Sequence, residues 1–253
     1  MPVIDHDNEL AHAFDGQAAA FEASKVQRDA ESLARFVAFA AVPRGGRILD
    51  AGCGPGLVAE AFLDAGCNLI GIDLSAEMIR RARARCARFG ERARFEQGSL
   101  FQLAPAEPLD AALSRNVLHH VVDPAAFIAR QSALVRPGGL VLALDVTGDP
   151  DPDGQAWSQG IERDRDRTHV RSLTPGELVD AFARADLLDL RIAEEDIVLD
   201  FDEWFDRGSP GAPKEEVRQR LLVRAARGFV ATARKDGGAD LRVTRMMVRG
   251  VKS

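Results

Sequence analysis

The chain has 253 residues, 46% of them apolar, and a formal net charge of −6 at pH 7. That length suits one large α/β domain with an elaboration, and that apolar share is enough for a buried core. An acidic balance without any basic block argues against a nucleic-acid partner, and no apolar run reaches membrane-spanning length. The three cysteines, Cys53, Cys67 and Cys86, have no metal spacing and form no even disulfide set. The start Met1-Pro2-Val3-Ile4-Asp5-His6-Asp7 lacks the basic and apolar regions of a secretory signal, so a cytoplasmic location is expected.

Residues 8–42 read as helical, with Leu10, Phe14, Ala18 and Phe21 and then Leu33 and Val37 at helical spacing. Two roles are open to them: a preface packed on a sheet, or a flap across a ligand. Pro43-Arg44-Gly45-Gly46 breaks this pattern. Arg47-Ile48-Leu49 then forms a short apolar strand ending at Asp50, and Gly52, Gly54 and Gly56 follow at alternate positions before a helix from Leu57. A strand, a glycine turn and a helix receive nucleotide-shaped ligands, because residues without side chains let a ligand reach the backbone amides. The same pattern also occurs as a plain strand–helix connection. A pyrophosphate fits poorly: the spacing is G-x-G-x-G, Leu57 takes the sixth place, and Asp50 would repel a diphosphate. A ligand carrying an ammonium and a sulfonium would be attracted instead.

The second strand, Asn68 to Asp73, also ends on a carboxylate. An acid at that tip can accept hydrogen bonds from both hydroxyls of a ribose, and Ser75 is free to cap the next helix. Arg94 to Gly98 reads as a third strand followed by a loop at Ser99-Leu100, and Leu109 to Asn116 as a fourth. Asp123-Pro124 opens a helix to Leu134, and Leu140 to Val146 is an apolar fifth strand. Alternation of strands and helices implies a parallel sheet with its ligand at the strands' carboxyl ends. Further on, Thr174-Pro175-Gly176-Glu177 is a capping box, Leu188 to Phe201 carries a sixth strand, and Leu241 to Val251 is the seventh. Between these two strands lies an insert, 202–240. Its Val217, Leu221, Leu222, Ala225, Ala226 and Phe229 make one stripe at helical spacing. The insert either roofs a substrate pocket behind Trp204-Phe205 or packs on the sheet or a partner subunit.

The segments Leu49 to Gly56, Gly71 to Met78, Val117 to Pro124 and Leu134 to Gly139, in that order and spacing, resemble the class I S-adenosylmethionine-dependent methyltransferases. Within that class the chain is similar to the ubiquinone/menaquinone-biosynthesis group, and the likeness covers roughly residues 10–190. The resemblance implies an α/β, Rossmann-like, seven-stranded and mostly parallel sheet with helices on both faces. The last strand would be antiparallel, with a helical insert before it. One domain over 1–253 would comprise a flap at 8–42, a cofactor core at 43–200, the insert at 202–240 and the last strand at 241–251. The implied cofactor is S-adenosyl-L-methionine, leaving as S-adenosyl-L-homocysteine. Asp50, Gly52 and Gly54 would surround its methionine part, and Cys53 would also belong to the cofactor site. Asp73 would take the ribose, and Leu74 and Met78 the adenine face. Asn116 would meet the methionine ammonium through its carbonyl. Ser99 and Leu100 would stand at the adenine edge, where the family usually has an Asp.

Methyl transfer needs mostly positioning in a dry site, with a base where the acceptor must lose a proton. His120, beside His119 after the fourth strand, and His169 are the nominated groups, since an imidazole titrates near neutrality. No nucleophile motif or metal-ligand cluster stands out. The expected acceptor is a small, moderately apolar organic molecule methylated on O, C or N, and a homodimer is an open expectation. Two other functions compete: a noncatalytic S-adenosylmethionine-binding scaffold, suggested by Ser99, and a nicotinamide-dependent oxidoreductase, which the glycine spacing disfavours.

Overall fold

The computed structural model describes residues 3–253, with side chains from residue 6 onward. Met1, Pro2 and the side chains of residues 3–5, which belong to the start read above, lie outside that description. The first helices are α1 (Val3–Ala23) and α2 (Ala30–Ala40). The helical segment expected over 8–42 is thus two helices with a break at 24–29, where Asp29 accepts from the Ser32 amide at 2.7 Å and caps α2.

Five strands build the parallel part of one sheet: β1 (Arg47–Ala51), β2 (Asn68–Asp73), β3 (Ala93–Gln97), β4 (Leu109–Arg115) and β5 (Val135–Val146). Helices α3 (Leu57–Asp64), α4 (Ala76–Cys86) and α5 (Pro124–Leu134) make crossovers. Their starts carry the caps that the residues foretold: Ser75 accepts from the Met78 amide, and Asp123 from that of Ala126 with Pro124 in the first turn. Next come α6 (Pro152–Arg165), α7 (Pro175–Arg184, opened by the Thr174–Glu177 capping box) and β6 (Leu187–Asp200). The chain ends with α8 (Phe201–Asp206), α9 (Lys214–Val223), β7 (Phe229–Ala233) and β8 (Ala239–Lys252).

The sheet order is β3-β2-β1-β4-β5-β8-β6, and β8 runs antiparallel to both its neighbours. Helices α2, α3 and α4 pack Phe36, Phe62 and Ile79 on one face, while α5 and α7 pack Ile128 and Phe182 on the other. Leu140 to Leu144 in β5 is almost wholly buried between these layers, which explains an uninterrupted apolar strand where alternation would mark a half-exposed one.

The insert departs from a purely helical reading. Its apolar spacing continues through Phe229, but α9 stops at Val223, Gly228 takes φ +69°, and Phe229 lies in the short strand β7 paired with β8. Periodicity alone could not see that β8 offers an open ladder there. The insert also has its own core, in which Phe201, Trp204, Val217, Leu221 and Phe229 meet Leu241 and Val243 of β8. Among the described residues, no helix is long and apolar enough to cross a membrane.

Candidate functional site

The glycine turn after β1 leaves no room for a side chain at Gly52. Gly52 has φ +76°, and a Cβ there would come 2.5 Å from Val117 Cγ2. The amides of Gly52 and Cys53 both donate to the Ile72 carbonyl, at 2.8 and 3.0 Å, which ties the turn to the tip of β2. Gly54 has φ +51° and open space where its Cβ would be, so the backbone itself faces the cleft.

Asp73 fixes this turn from the neighbouring strand. One carboxylate oxygen accepts from the Gly54 amide and the other from the Ser75 amide, each at 2.9 Å. The expectation that Ser75 capping leaves Asp73 free is corrected to this extent: Asp73 is half-buried and clamped, with its remaining lone pairs available to a ligand. Burial raises its pKa above the usual carboxylate value, against the pull of those amides.

Above the turn lies a cavity of ≈ 470 Å³. Every cofactor-site residue nominated from the sequence lines it: Asp50, Gly52, Cys53, Gly54, Asp73, Leu74, Met78, Ser99, Leu100 and Asn116. So does His120. The opposite wall is α1 with the segment after it, through His6, Leu10, Phe14, Phe21 and Gln27. No residue of 201–240 lines this cavity, so the insert does not roof it. Helix α1 is tied down on both flanks. Asp15 accepts from Ser75 Oγ at 2.6 Å and the Glu77 amide at 3.0 Å, and Gln17 donates to Ser209 Oγ at 2.8 Å.

Three side chains in the cavity are chemically incomplete. Asp50 is 1% exposed, and its Oδ2 has no hydrogen-bond partner among the described residues. Burial, followed by the charge of Asp73, pushes its pKa up to about 7, although Arg115 pulls the other way. Arg115, at the end of β4, donates from Nη1 to Gln27 Oε1 at 2.9 Å, while its Nε and Nη2 are buried without partners. Burial lowers its pKa to about 10, which still leaves it cationic at neutral pH. Next to it Asn116 takes the left-handed φ of +57°, and its buried Oδ1 is also without a partner. Cys53 is buried and its thiol pKa is pushed well up by that burial, so it is held protonated.

The histidines sort differently from the sequence reading. His120 Nδ1 donates to the Thr168 carbonyl at 3.0 Å, and the Phe14 ring meets its ring edge-on at 5.0 Å. Burial and then the neighbouring His119 lower its pKa to about 3, which keeps the imidazole neutral. His169 lines neither this cavity nor the small one described next. Its Nε2 donates to Gln159 Oε1 at 2.6 Å, and that oxygen also accepts the Ser172 amide. Its nomination as a substrate-facing group is thus corrected to a packed, hydrogen-bonded histidine. His119, which was passed over, places Nδ1 2.5 Å from Asp145 Oδ1, while Asp145 Oδ2 accepts the amides of Val117 and Leu118. Burial alone would lower the His119 pKa, but the charge and hydrogen bond of Asp145 outweigh it and raise the value. A carboxylate 26 residues away in sequence decided between the two adjacent histidines.

A second, smaller cavity of ≈ 70 Å³ shares Phe21, Gln27, Asn116 and His120 with the first. His119 lines it, together with Glu162, Arg165, Trp204, Arg207 and Arg245. Among the described residues, no group of three His, Cys, Asp or Glu side chains could hold a metal ion.

Comparison with known proteins agrees with this architecture. A family model described as "Methyltransferase domain" matches residues 24–191. An uncharacterized methyltransferase, YcgJ of Bacillus subtilis (strain 168), is 27% identical over 205 residues, which is 80% of this chain and 81% of that protein. Its crystal structure superposes with a TM-score of 0.78 at 25% identity, covering 88% of this chain and 98% of that one. A ubiquinone biosynthesis O-methyltransferase of Thiobacillus denitrificans (strain ATCC 25259 / T1) is 38% identical over 109 residues. That match spans only 42% of this chain and 47% of the enzyme. Since the family model covers more than half of the residues and the glycine turn, the Asp73 tip and the sheet order all fall in place, the chain belongs to the methyltransferase-domain family, within the class I S-adenosylmethionine-dependent methyltransferases.

Proposed function

We propose that the ≈ 470 Å³ cavity holds S-adenosylmethionine and that the chain moves its methyl group to a small organic acceptor on O, C or N. The observation that carries this reading is the pair of unmet opposite charges in one cavity: the free carboxylate oxygen of Asp50 and the free guanidinium nitrogens of Arg115. A buried charge without a partner is costly, and the zwitterionic end of an amino acid completes both at once. Asp50 would take the ammonium, assisted by the Asn116 carbonyl, and Arg115 the carboxylate. Asp73 would accept from the ribose hydroxyls, while Leu74, Met78 and Leu100 enclose the adenine and Ser99 meets its edge. When bound, the sulfonium supplies an activated methyl group.

The protein's own part is to orient and to exclude water. Phe14 and Phe21 on α1 cover the cleft, which strengthens the electrostatic contacts inside it. Where the acceptor must lose a proton, His119 is the group suited to receive it. Asp145 holds its Nδ1, and Nε2 has no protein partner among the described residues. His120 and His169 are left with shape and hydrogen-bonding roles.

Calorimetric titration with S-adenosylhomocysteine tests the reading. Micromolar-range binding is expected, weakened by about 2 kcal/mol in Asp50→Asn and in Arg115→Met, because each leaves the partner charge buried alone. No detectable binding by the wild-type protein would remove the proposal. Family membership leaves the nicotinamide-dependent alternative without support.

A further inference from the structure

The small cavity beside the cofactor cleft has a surplus of hydrogen-bond donors. Arg165, Arg207 and Arg245 all line it and all are buried, Arg245 to 1% exposure. Each has one carboxylate in direct ion-pair contact: Asp166 for Arg165 at 3.2 Å, Glu203 for Arg207 at 3.5 Å, and Glu195 for Arg245. A guanidinium carries five N–H donors in a fixed plane, so one carboxylate does not complete it. Arg165 spends Nε on the Trp204 carbonyl at 2.8 Å. Arg207 donates from Nη1 to Ser24 Oγ, and its Nε has no partner. Arg245 donates from Nη2 to Ser32 Oγ at 2.9 Å and to Glu195, and both Nε and Nη1 have none.

Among the described residues, no side chain of the cavity wall accepts from Arg207 Nε or from Arg245 Nε and Nη1. Glu162 also lines the cavity, and burial pushes its carboxyl above its usual range, against the pull of Arg165 and His119. The charge of Asp145 is already taken by His119, and that of Asp166 by Arg165 and Thr168. Unmet buried donors on fixed cations are costly in an isolated fold and become useful when a ligand brings acceptor oxygens. The cavity shares Phe21, Gln27, Asn116 and His120 with the cofactor cleft, so the two spaces adjoin across these four side chains.

We propose that the Arg207–Arg245 pocket seats an oxyanion, a carboxylate or a phosphate ester, carried by the methyl acceptor, whose apolar body lies along Phe21 toward the larger cavity. This deepens the methyl-transfer reading and rests on it. The pocket selects acidic acceptors, and a neutral or basic analogue of the same shape leaves the guanidinium nitrogens unmet.

The test uses protein saturated with S-adenosylhomocysteine and four probes titrated by calorimetry: 3-phenylpropionate, phenyl phosphate, 3-phenylpropionamide and 3-phenylpropylamine. At least one of the two anions binds tenfold or more tightly than the amide, about 1.4 kcal/mol, and the amine binds worst. The tighter anion identifies which oxyanion the pocket takes. Arg207→Gln and Arg245→Gln abolish the acid-over-amide preference, while affinity for S-adenosylhomocysteine stays within about twofold, since neither side chain lines the cofactor cavity. Should Arg245→Gln fail to fold, Arg207→Gln and Arg207→Lys decide the matter, the lysine variant retaining part of the preference. Equal binding of acid and amide, tighter binding of the amine, or no saturable binding of either anion up to about 10 mM overturns the proposal. Survival of the preference in the glutamine variants overturns it as well. If the wild type fails to bind S-adenosylhomocysteine, the methyl-transfer reading falls instead, and the same four titrations on cofactor-free protein judge the anion pocket by the same criteria.

Discussion

Asp50 is held near its titration point by burial and by Asp73, with a pKa of about 7. A bound ammonium favours the ionised carboxylate, so ligand binding below that pH must expel a proton. Affinity for S-adenosylhomocysteine therefore falls as the pH drops through about 7, by up to about tenfold per unit for one linked proton. Calorimetry in buffers of different ionisation enthalpy measures that release, and Asp50→Asn flattens the pH profile. The histidines give a second check by nuclear magnetic resonance. His119 titrates above the ordinary value near 6.5 and His120 near 3. Asp145→Asn moves the His119 titration down. The sign for stability follows: the His119–Asp145 interaction contributes fully below the unfolded pKa and is lost as pH rises through the raised folded value. At this scale the sequence revealed what local chemistry dictates. The alternate glycines, Asp50 and Asp73 could be read because a strand tip followed by a tight turn has few other uses. Arg115 could not, since an arginine closing an apolar strand carries no motif until Asp50 and Gln27 are seen beside it. The pairing of Asp145 with His119, and not with His120, was hidden for the same reason.

Helix α1 is an element whose position, unlike its helicity, was left open by periodicity. Phe14 and Phe21 could have packed on a sheet face or over a ligand, and the structure puts both in the cavity wall. Its tether to α4 runs through Asp15, an exposed residue whose carboxylate meets Ser75 and Glu77 at the helix start. Asp15→Ala removes about 1 kcal/mol or more of that docking. Amide hydrogen exchange in α1 then quickens by about tenfold, with that of α5 unchanged, and S-adenosylhomocysteine binds severalfold more weakly. Equal protection of α1 in both proteins would show that the tether does not hold it. The strand β7 marks the opposite limit of legibility. Residues 217–229 satisfy a helical period to the end, and only pairing with a strand ten residues farther on turns Phe229 into a ladder residue.

Across the whole molecule, stability rests on the two layers pressed against the sheet, and these were largely visible as apolar strands and capped helices. Phe62 is wholly buried and meets Phe36 edge-on, with ring centroids 6.0 Å apart. Phe62→Ala costs about 3–5 kcal/mol by leaving a cavity, which lowers Tm by about 6–20 °C for a chain of this size. S-adenosylhomocysteine binding well below that temperature stays near wild type, because Phe62 does not line the cleft. A thermal melt and a titration at low temperature check the two halves of this statement.

Strand β8 runs unbroken for 14 residues. Its residues Arg245–Val251 face β5 on one edge, and Ala239–Val243 face β7 on that same edge, with β6 spanning both from the other side. The backbone therefore passes from insert to core without a hinge, at Thr244. The insert and its hydrophobic cluster are no detachable cassette: a graft exchanging them between related chains must carry the first half of β8 with it, or the transplanted cluster loses its floor.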